Sequence, residues 1–388
     1  MVFLIFLFLS GLVSGVKIPT LKAAEQAVTA HLENIERNTI KTIKTKDADI
    51  FDCVDIYKQP AFSHPLLKDH KLQMNPSSYP MVIGNDHHHG NTENESNGDE
   101  NCPEGTVPVH RLPKDVILKS TPSRSSRSIL QINHFFRPPF YHKYVAEVRK
   151  NDSITYGAAA NLNVYAVPDV GPNQVSSSRI QVMNPAAGAY LAGGWTVNPK
   201  LFNDTNTRLF VTWSGDTDGL FQECYNMLCP GFVQINTKVK LGMILKHVSL
   251  FNGPQITFKI YIFNDGRDGN WWLAFKTPSN VIGYWPRKLF RNFANASELR
   301  YGGYTSCRLG ETCPAMGSGR RPSQKHDHSC FFIEVQYLDV NKNVHQVSDE
   351  QHIPFANQKD CYDVGKYLHY SGGGEAFGFG FGGPKCKM

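Results

Sequence analysis

The hydrophobic pattern changes along the chain. Between residues 18 and 40, apolar residues recur at Leu21, Ala24, Val28, Leu32 and Ile35, with charged residues between them. Intervals of three and four predict an amphipathic helix that buries one stripe against another element. The following stretch, "DIFDCVDIYKQPAFSHPLLKDHKLQMNPSSYP", holds prolines too often for long regular elements. Residues 84–101, "GNDHHHGNTENESNGDEN", have almost no apolar side chains and read as a disordered surface loop. "STPSRSSRS" at 120–128 is a polar, basic linker open to proteases, and it marks the boundary between residues 16–128 and a second domain, 129–388.

Beyond residue 129 the period shortens to two. "NLNVYAV", "RLFVTWSG", "ITFKIYIFN", "NWWLAFK" and "CFFIEVQYLDV" are short, β-branched and aromatic, with turn residues between them. In "ITFKIYIF", Ile256, Phe258, Ile260 and Ile262 fall on one face, and Thr257, Lys259, Tyr261 and Phe263 on the other. This predicts an all-β C-terminal domain, an antiparallel β-sandwich of two sheets each with one face in the core. The N-terminal region is expected to combine its helix with irregular and β segments. The glycine-rich tail "YSGGGEAFGFGFGGPKC" lacks the strand-to-helix setting of a phosphate loop and reads as an irregular wrap.

The first 15 residues, "MVFLIFLFLSGLVSG", are apolar, end in small residues and precede polar sequence, as in a secretory signal peptide. No later run is apolar for long enough to span a bilayer, so the expectation is a secreted, extracellular chain free of membrane after cleavage. Nine cysteines suit an oxidising compartment. Cys224 with Cys229, and Cys307 with Cys313, are spaced for local bridges. Cys361 with Cys386, and Cys53 with Cys102, are further candidate pairs, although spacing alone does not fix connectivity. Cys330 is left over. Asn94, Asn151, Asn203 and Asn295 begin N-x-Ser/Thr sequons, expected surface glycan acceptors in a secreted chain.

A formal net charge of +6 without a dense Lys/Arg block gives no nucleic-acid footprint. No C-x-x-C pair occurs, and His87, His88, His89, His326 and His328 read as solvated tracts, so neither metal nor cofactor is expected. No G-x-S-x-G or H-E-x-x-H motif is present.

Several stretches belong together: "DCVDIYKQPAFSHPLLKDHKLQMNPS" (52–77), "CPEGTVPVHR" (102–111), "GWTVNPKLFNDTNTRLFVTW" (194–213), "CYNMLCPGFVQIN" (224–236), "NWWLAF" (270–275), "IGYWPRKLF" (282–290), "MGSG" (316–319) and "CYDV" (361–364). In this order they resemble the neprosin family of secreted plant proteins over nearly the whole chain after the signal peptide. The resemblance implies an N-terminal activation peptide and a β-sandwich glutamic peptidase domain that cleaves after proline, with an apoplast or cell-wall location. It also implies the pairs Cys224–Cys229 and Cys361–Cys386.

Glutamic peptidase chemistry needs one ionised carboxylate to take a proton from water and a protonated one to donate to the carbonyl oxygen. The resemblance implies one glutamate just before Ala-Gly-Trp and one just after Trp-Gly-Gly. Those positions hold Ala192, in "AGGW", and Tyr304, in "YGGY". A positioned acid or base supplies ~10²- to 10⁴-fold in rate, so losing both is expected to remove most peptidase activity. The nearest acids in sequence to Tyr304, Glu298 and Glu311, are too far along an extended strand to substitute. Asp204, in "NDTNT", reads as a cap or Asx turn.

The expected function is therefore an impaired relative that binds proline-rich extracellular or cell-wall peptides. Trp195, Tyr301, Gly302, Gly303, Tyr284 and Trp285 are the groove candidates, with core packing as the plainer reading of the aromatics. An active endopeptidase using a substitute carboxylate and a lectin-like carbohydrate binder are the alternatives. A monomer is expected.

Overall fold

The structure is a computed structural model that describes residues 21–80, 101–120, 141–215, 223–325, 327–371 and 375–387. The signal-peptide-like run, His87–His89, Asn94, the linker from residue 121 onward and His326 lie outside these residues.

The predicted N-terminal helix is α1 (Leu21–Asn38). It leads into a small antiparallel sheet of β1 (Thr39–Lys44), β2 (Ile50–Asp55) and β3 (Thr106–His110), followed by α2 (Lys114–Ser120). Cys53 of β2 bonds Cys102, closing the long excursion between β2 and β3. Val28 and Leu32 on the apolar stripe of α1 pack with Leu112 and Ile117 and with Leu201 and Phe202, far along the chain. The helix is therefore stabilised by docking more than by its own propensity.

The remaining strands run in order β4 (Tyr141–Lys150), β5 (Gly157–Asn163), β6 (Val175–Asn184), β7 (Ala189–Val197), β8 (Arg208–Ser214) and β9 (Cys224–Tyr225). Next come β10 (Val233–Gln234), β11 (Thr257–Asn264), β12 (Trp271–Phe275), β13 (Val281–Trp285) and β14 (Glu298–Arg308). The chain ends with β15 (Cys330–Leu338), β16 (Val344–Gln346), β17 (Ile353–Ala356), β18 (Asp363–Val364), β19 (Leu368–Ser371) and β20 (Glu375–Gly382). They form two antiparallel sheets. A seven-stranded sheet has the order β17-β4-β14-β6-β7-β8-β9, and a ten-stranded one the order β10-β13-β12-β11-β5-β15-β20-β18 with β16 and β19 at its margin. Part of the glycine-rich tail, expected to be an irregular wrap, is strand β20, paired with β15.

The two sheets share one apolar core, and directed hydrogen bonds cross it. The Trp195 indole N–H of β7 donates to the Asn163 carbonyl of β5 at 2.8 Å, and the Tyr301 hydroxyl of β14 donates to the Gln336 carbonyl of β15 at 2.7 Å. β11 departs from the one-sided expectation: all eight of its residues are buried, including Lys259 and Tyr261. It lies inside the sheet between β5 and β12. Its outer face is covered too, with the Lys259 ammonium paired to Glu334 at 2.6 Å.

Bridges join Cys224 to Cys229, Cys307 to Cys313 and Cys361 to Cys386, and Cys330 is a buried free thiol. Asn151 and Asn203 are exposed, while Asn295 is half-buried.

Candidate active site

Direct register partners in an antiparallel sheet share a face, so one row can be followed across the seven-stranded sheet. Ala192 pairs with Thr212 on one side and Gln181 on the other; Thr212 pairs on with Tyr225, and Gln181 with Arg300. The next row toward β14's far end is Phe210, Gly194, Arg179, Gly302 and Glu147. Tyr304 belongs to the row after that, beside Ser177. All of these residues occupy the face turned away from the sandwich core. Ala192 itself is fully buried. The residue across β6 from Ala192 is thus Arg300, and Tyr304 stands four residues further along the strand.

The same parity corrects most of the groove candidates. Trp195 is three residues from Ala192, and Tyr301 three from Tyr304, so both point to the opposite face. Both are fully buried and bonded across the core, as described above. Gly303 also faces the core, where an added Cβ would lie 2.5 Å from the Met316 sulfur. Gly302 remains on the outer face, with the β4 backbone so close that a Cβ would sit 2.3 Å from the Ala146 carbonyl oxygen. Tyr284 and Trp285 belong to the other sheet and are fully buried. The Tyr284 hydroxyl is engaged by the N-terminal region, with His70 Nε2 at 2.8 Å and the Gln73 amide donating at 3.1 Å.

Among the described residues, three carboxylates reach the outer face of this sheet. Glu298 is bound to Arg300 at 2.7 Å. Glu147, buried, holds Arg149 at 2.8 Å and Arg300 at 3.6 Å. Glu223 accepts from the Thr212 hydroxyl at 3.2 Å, one strand over from the Ala192 methyl. Of the three, Glu223 alone has no cation within 4 Å among the described residues. Glu311 lies in a turn and accepts from the Arg308 amide at 3.4 Å, and Asp204 forms the expected Asx turn, accepting from the Asn206 amide at 2.9 Å.

Around Glu223 stand three half-buried phenols, Tyr190, Tyr225 and Tyr304, with the Arg179 guanidinium 4.3 Å above the Tyr304 ring. Burial, and then the negative charge of Glu223, push the Tyr190 and Tyr225 phenols well above their ordinary range. Burial raises Tyr304 against the opposing pull of Arg179, and Glu223 adds to the rise. All three therefore stay protonated through acidic and neutral pH and can donate hydrogen bonds. Glu223 and Tyr225 stand far from both Ala192 and Tyr304 in sequence, while Tyr190 is two residues from Ala192. The available signals were the acid directly before Cys224 and the even spacing of Tyr190 from Ala192.

Among the described residues, no cluster of His, Cys, Asp or Glu has the arrangement of a metal site. The described N-terminal region docks at the edge of the sandwich. Asp49 meets Arg208 at 2.8 Å, Gln59 exchanges two hydrogen bonds with the Gln234 backbone, and Ser77 donates its amide to Asp265 at 2.6 Å.

Two crystal structures of scytalido-glutamic peptidase, with a transition state analog inhibitor and with a peptide based transition state analog, are similar to this chain at 9% identity. Each match covers 62% of this chain and 100% of that one, with TM-scores of 0.33 and 0.29, too low to bear on the chemistry here. Residues 42–139 match the Neprosin activation peptide and residues 172–384 match Neprosin. The second match alone spans more than half of the chain, and the two lie in the order of an activation peptide followed by a β domain: the chain belongs to the neprosin family.

Proposed function

We propose that this is an extracellular, catalytically impaired glutamic-peptidase-like protein whose outer β-face binds extended proline-rich peptide segments. The observation that carries the reading is the group Tyr190, Tyr225 and Tyr304, three partly exposed rings on one face around Arg179. Proline-rich chains pre-organised as polyproline II dock on aromatic-lined grooves with hydrogen-bond donors between the rings, because little chain entropy remains to be lost. The impairment follows from Ala192, which offers no proton-transfer group, and from Tyr304, whose raised phenol is a poor base. Four disulfides suit extracellular proline-rich proteins, such as those of a cell wall, as the setting.

Fluorescence anisotropy with a labelled proline-rich peptide and a proline-free control of equal charge tests this. The expected result is saturable binding of the first only, weakened about 10-fold by Tyr304→Ala or Tyr225→Ala. Equal affinity for both peptides, or no effect of either substitution, overturns the reading.

A further inference from the structure

We propose that Glu223 is a catalytic carboxylate: it supplies the cleft with the proton acceptor that position 192 lacks, and hydrolyses, slowly, a peptide bond lying across the tyrosines. The inference rests on the peptide-binding reading above and goes beyond it.

Position comes first. Glu223 precedes Cys224, which is fixed twice, by its bond to Cys229 and by pairing with Trp213. The carboxylate is then aimed by Thr212, a fully buried residue directly beside Ala192, whose Cβ lies about 5 Å away across the strand pair. A glutamate on residue 192 would project from the neighbouring strand into the same space. The alanine brings no carboxylate there, and Glu223 comes to the shared neighbour Thr212 from two strands away.

Availability comes second. Glu298 and Glu147 are already committed to arginines. The Glu223 carboxylate has a hydroxyl neighbour instead, accepting from Thr212 at 3.2 Å, and its charge helps to raise the Tyr190 phenol. Hydroxyl donors fix the orientation of a carboxylate and leave lone pairs free for a water.

The complementary electrophile comes third. Arg179, with its guanidinium 4.3 Å above the Tyr304 ring, is a donor with no carboxylate within 4 Å among the described residues, and the Tyr304 hydroxyl is protonated. Both are suited to the developing oxyanion. The step balances within the site. The Glu223 carboxylate takes a proton from water as the water oxygen bonds to the carbonyl carbon, and the carbonyl π pair moves to oxygen, where Arg179 and Tyr304 hold it. The oxyanion re-forms the carbonyl, the C–N bond breaks, and the amide nitrogen leaves with the proton that Glu223 had taken. Water is added across the peptide bond with no other reactant.

The test uses the full chain with the proline-rich peptide of the anisotropy assay, quenched for turnover, with binding and hydrolysis measured on the same samples. Native protein is expected to turn the peptide over slowly. Glu223→Gln is expected to lose at least ~10²-fold in kcat while peptide affinity stays within about threefold. Glu223→Asp, which keeps the charge but withdraws it by one methylene, should fall between the two and covers the case in which the glutamine variant misfolds. Glu311→Gln, in a turn outside the cleft, should match native. Binding without turnover by native protein, or turnover unchanged in Glu223→Gln, overturns the assignment and leaves the binding reading standing. Absence of both binding and turnover overturns the two together.

Discussion

The Arg208 guanidinium grips Asp49 through two hydrogen bonds, at 2.8 and 3.0 Å, and so joins the β-sandwich to the N-terminal region. Arg208 is almost fully buried and also holds Asp204 and the Gly242 carbonyl. It is a fixed point to which the N-terminal region is attached.

That attachment is expected to depend on pH with a definite sign. Burial alone would raise Asp49, but hydrogen bonds from His110 and Arg208, with the guanidinium charge, outweigh it and bring the carboxyl down to about 2. A carboxyl depressed in the folded state contributes stability that is complete above its unfolded value, near 4, and is lost as pH falls toward about 2. Asp49→Asn should lower stability by about 2 kcal/mol at pH 6, less than a fully broken buried pair costs because Asp204 remains. It should also flatten the loss of stability between pH 4 and 2. Urea midpoints of the two proteins across that range check this; parallel pH curves count against the pair.

Ala192→Glu should not simply restore a peptidase. The methyl is fully buried between Gln181 and Thr212, and Glu223 is already bonded to Thr212. The added carboxylate would be desolvated and set beside a like charge, at a cost of about 2–4 kcal/mol at neutral pH. Both effects raise its folded-state pKa, so the penalty is largest at high pH and fades as pH falls through that value. Thermal unfolding at pH 4 and 7 should show a smaller loss at pH 4, and adding Glu223→Gln should recover part of the loss at pH 7.

How much of this was legible in the sequence depended on how local each feature is. The stripe of α1 and the sheet-forming segments follow from spacing along one segment. Cysteine separation marks the short-range bridges as candidates without fixing them, and the family resemblance implies Cys224–Cys229. Ala192 and Tyr304 were found by motif, but whether they face each other is a matter of register, and the register puts Arg300 across from Ala192. Trp195 and Tyr301 are excluded from the groove by a local rule: an odd separation along a strand puts two side chains on opposite faces. Glu223 was out of reach for a different reason. It arrives beside Thr212 through β9, a strand of two residues that leaves almost no trace in a hydrophobic pattern.

If Trp195 is a core residue and not a ligand contact, stability and binding should separate on substitution. Trp195→Phe removes the indole N–H that reaches Asn163 and some buried area, for a loss of about 2 kcal/mol. Tyr301→Phe removes only the bond to the Gln336 carbonyl, about 1 kcal/mol. Peptide affinity of both variants should remain within about twofold of native. A tenfold loss of affinity with unchanged stability would return these residues to the groove.

Eight of the nine cysteines are paired, which makes a thiol count informative. The ninth, Cys330, is fully buried between the sheets, with its sulfur 3.4 Å from the Asn163 carbonyl that also accepts from Trp195. Burial pushes its thiol well above the ordinary value, so almost no thiolate forms near neutral pH and no reagent path is open. Folded protein at pH 8 without reductant should therefore react with none of a thiol reagent, and protein unfolded in guanidinium with one equivalent per chain. Three equivalents would mean that one of the four bridges is open, and one equivalent in the folded state would mean that the sheets do not close over Cys330.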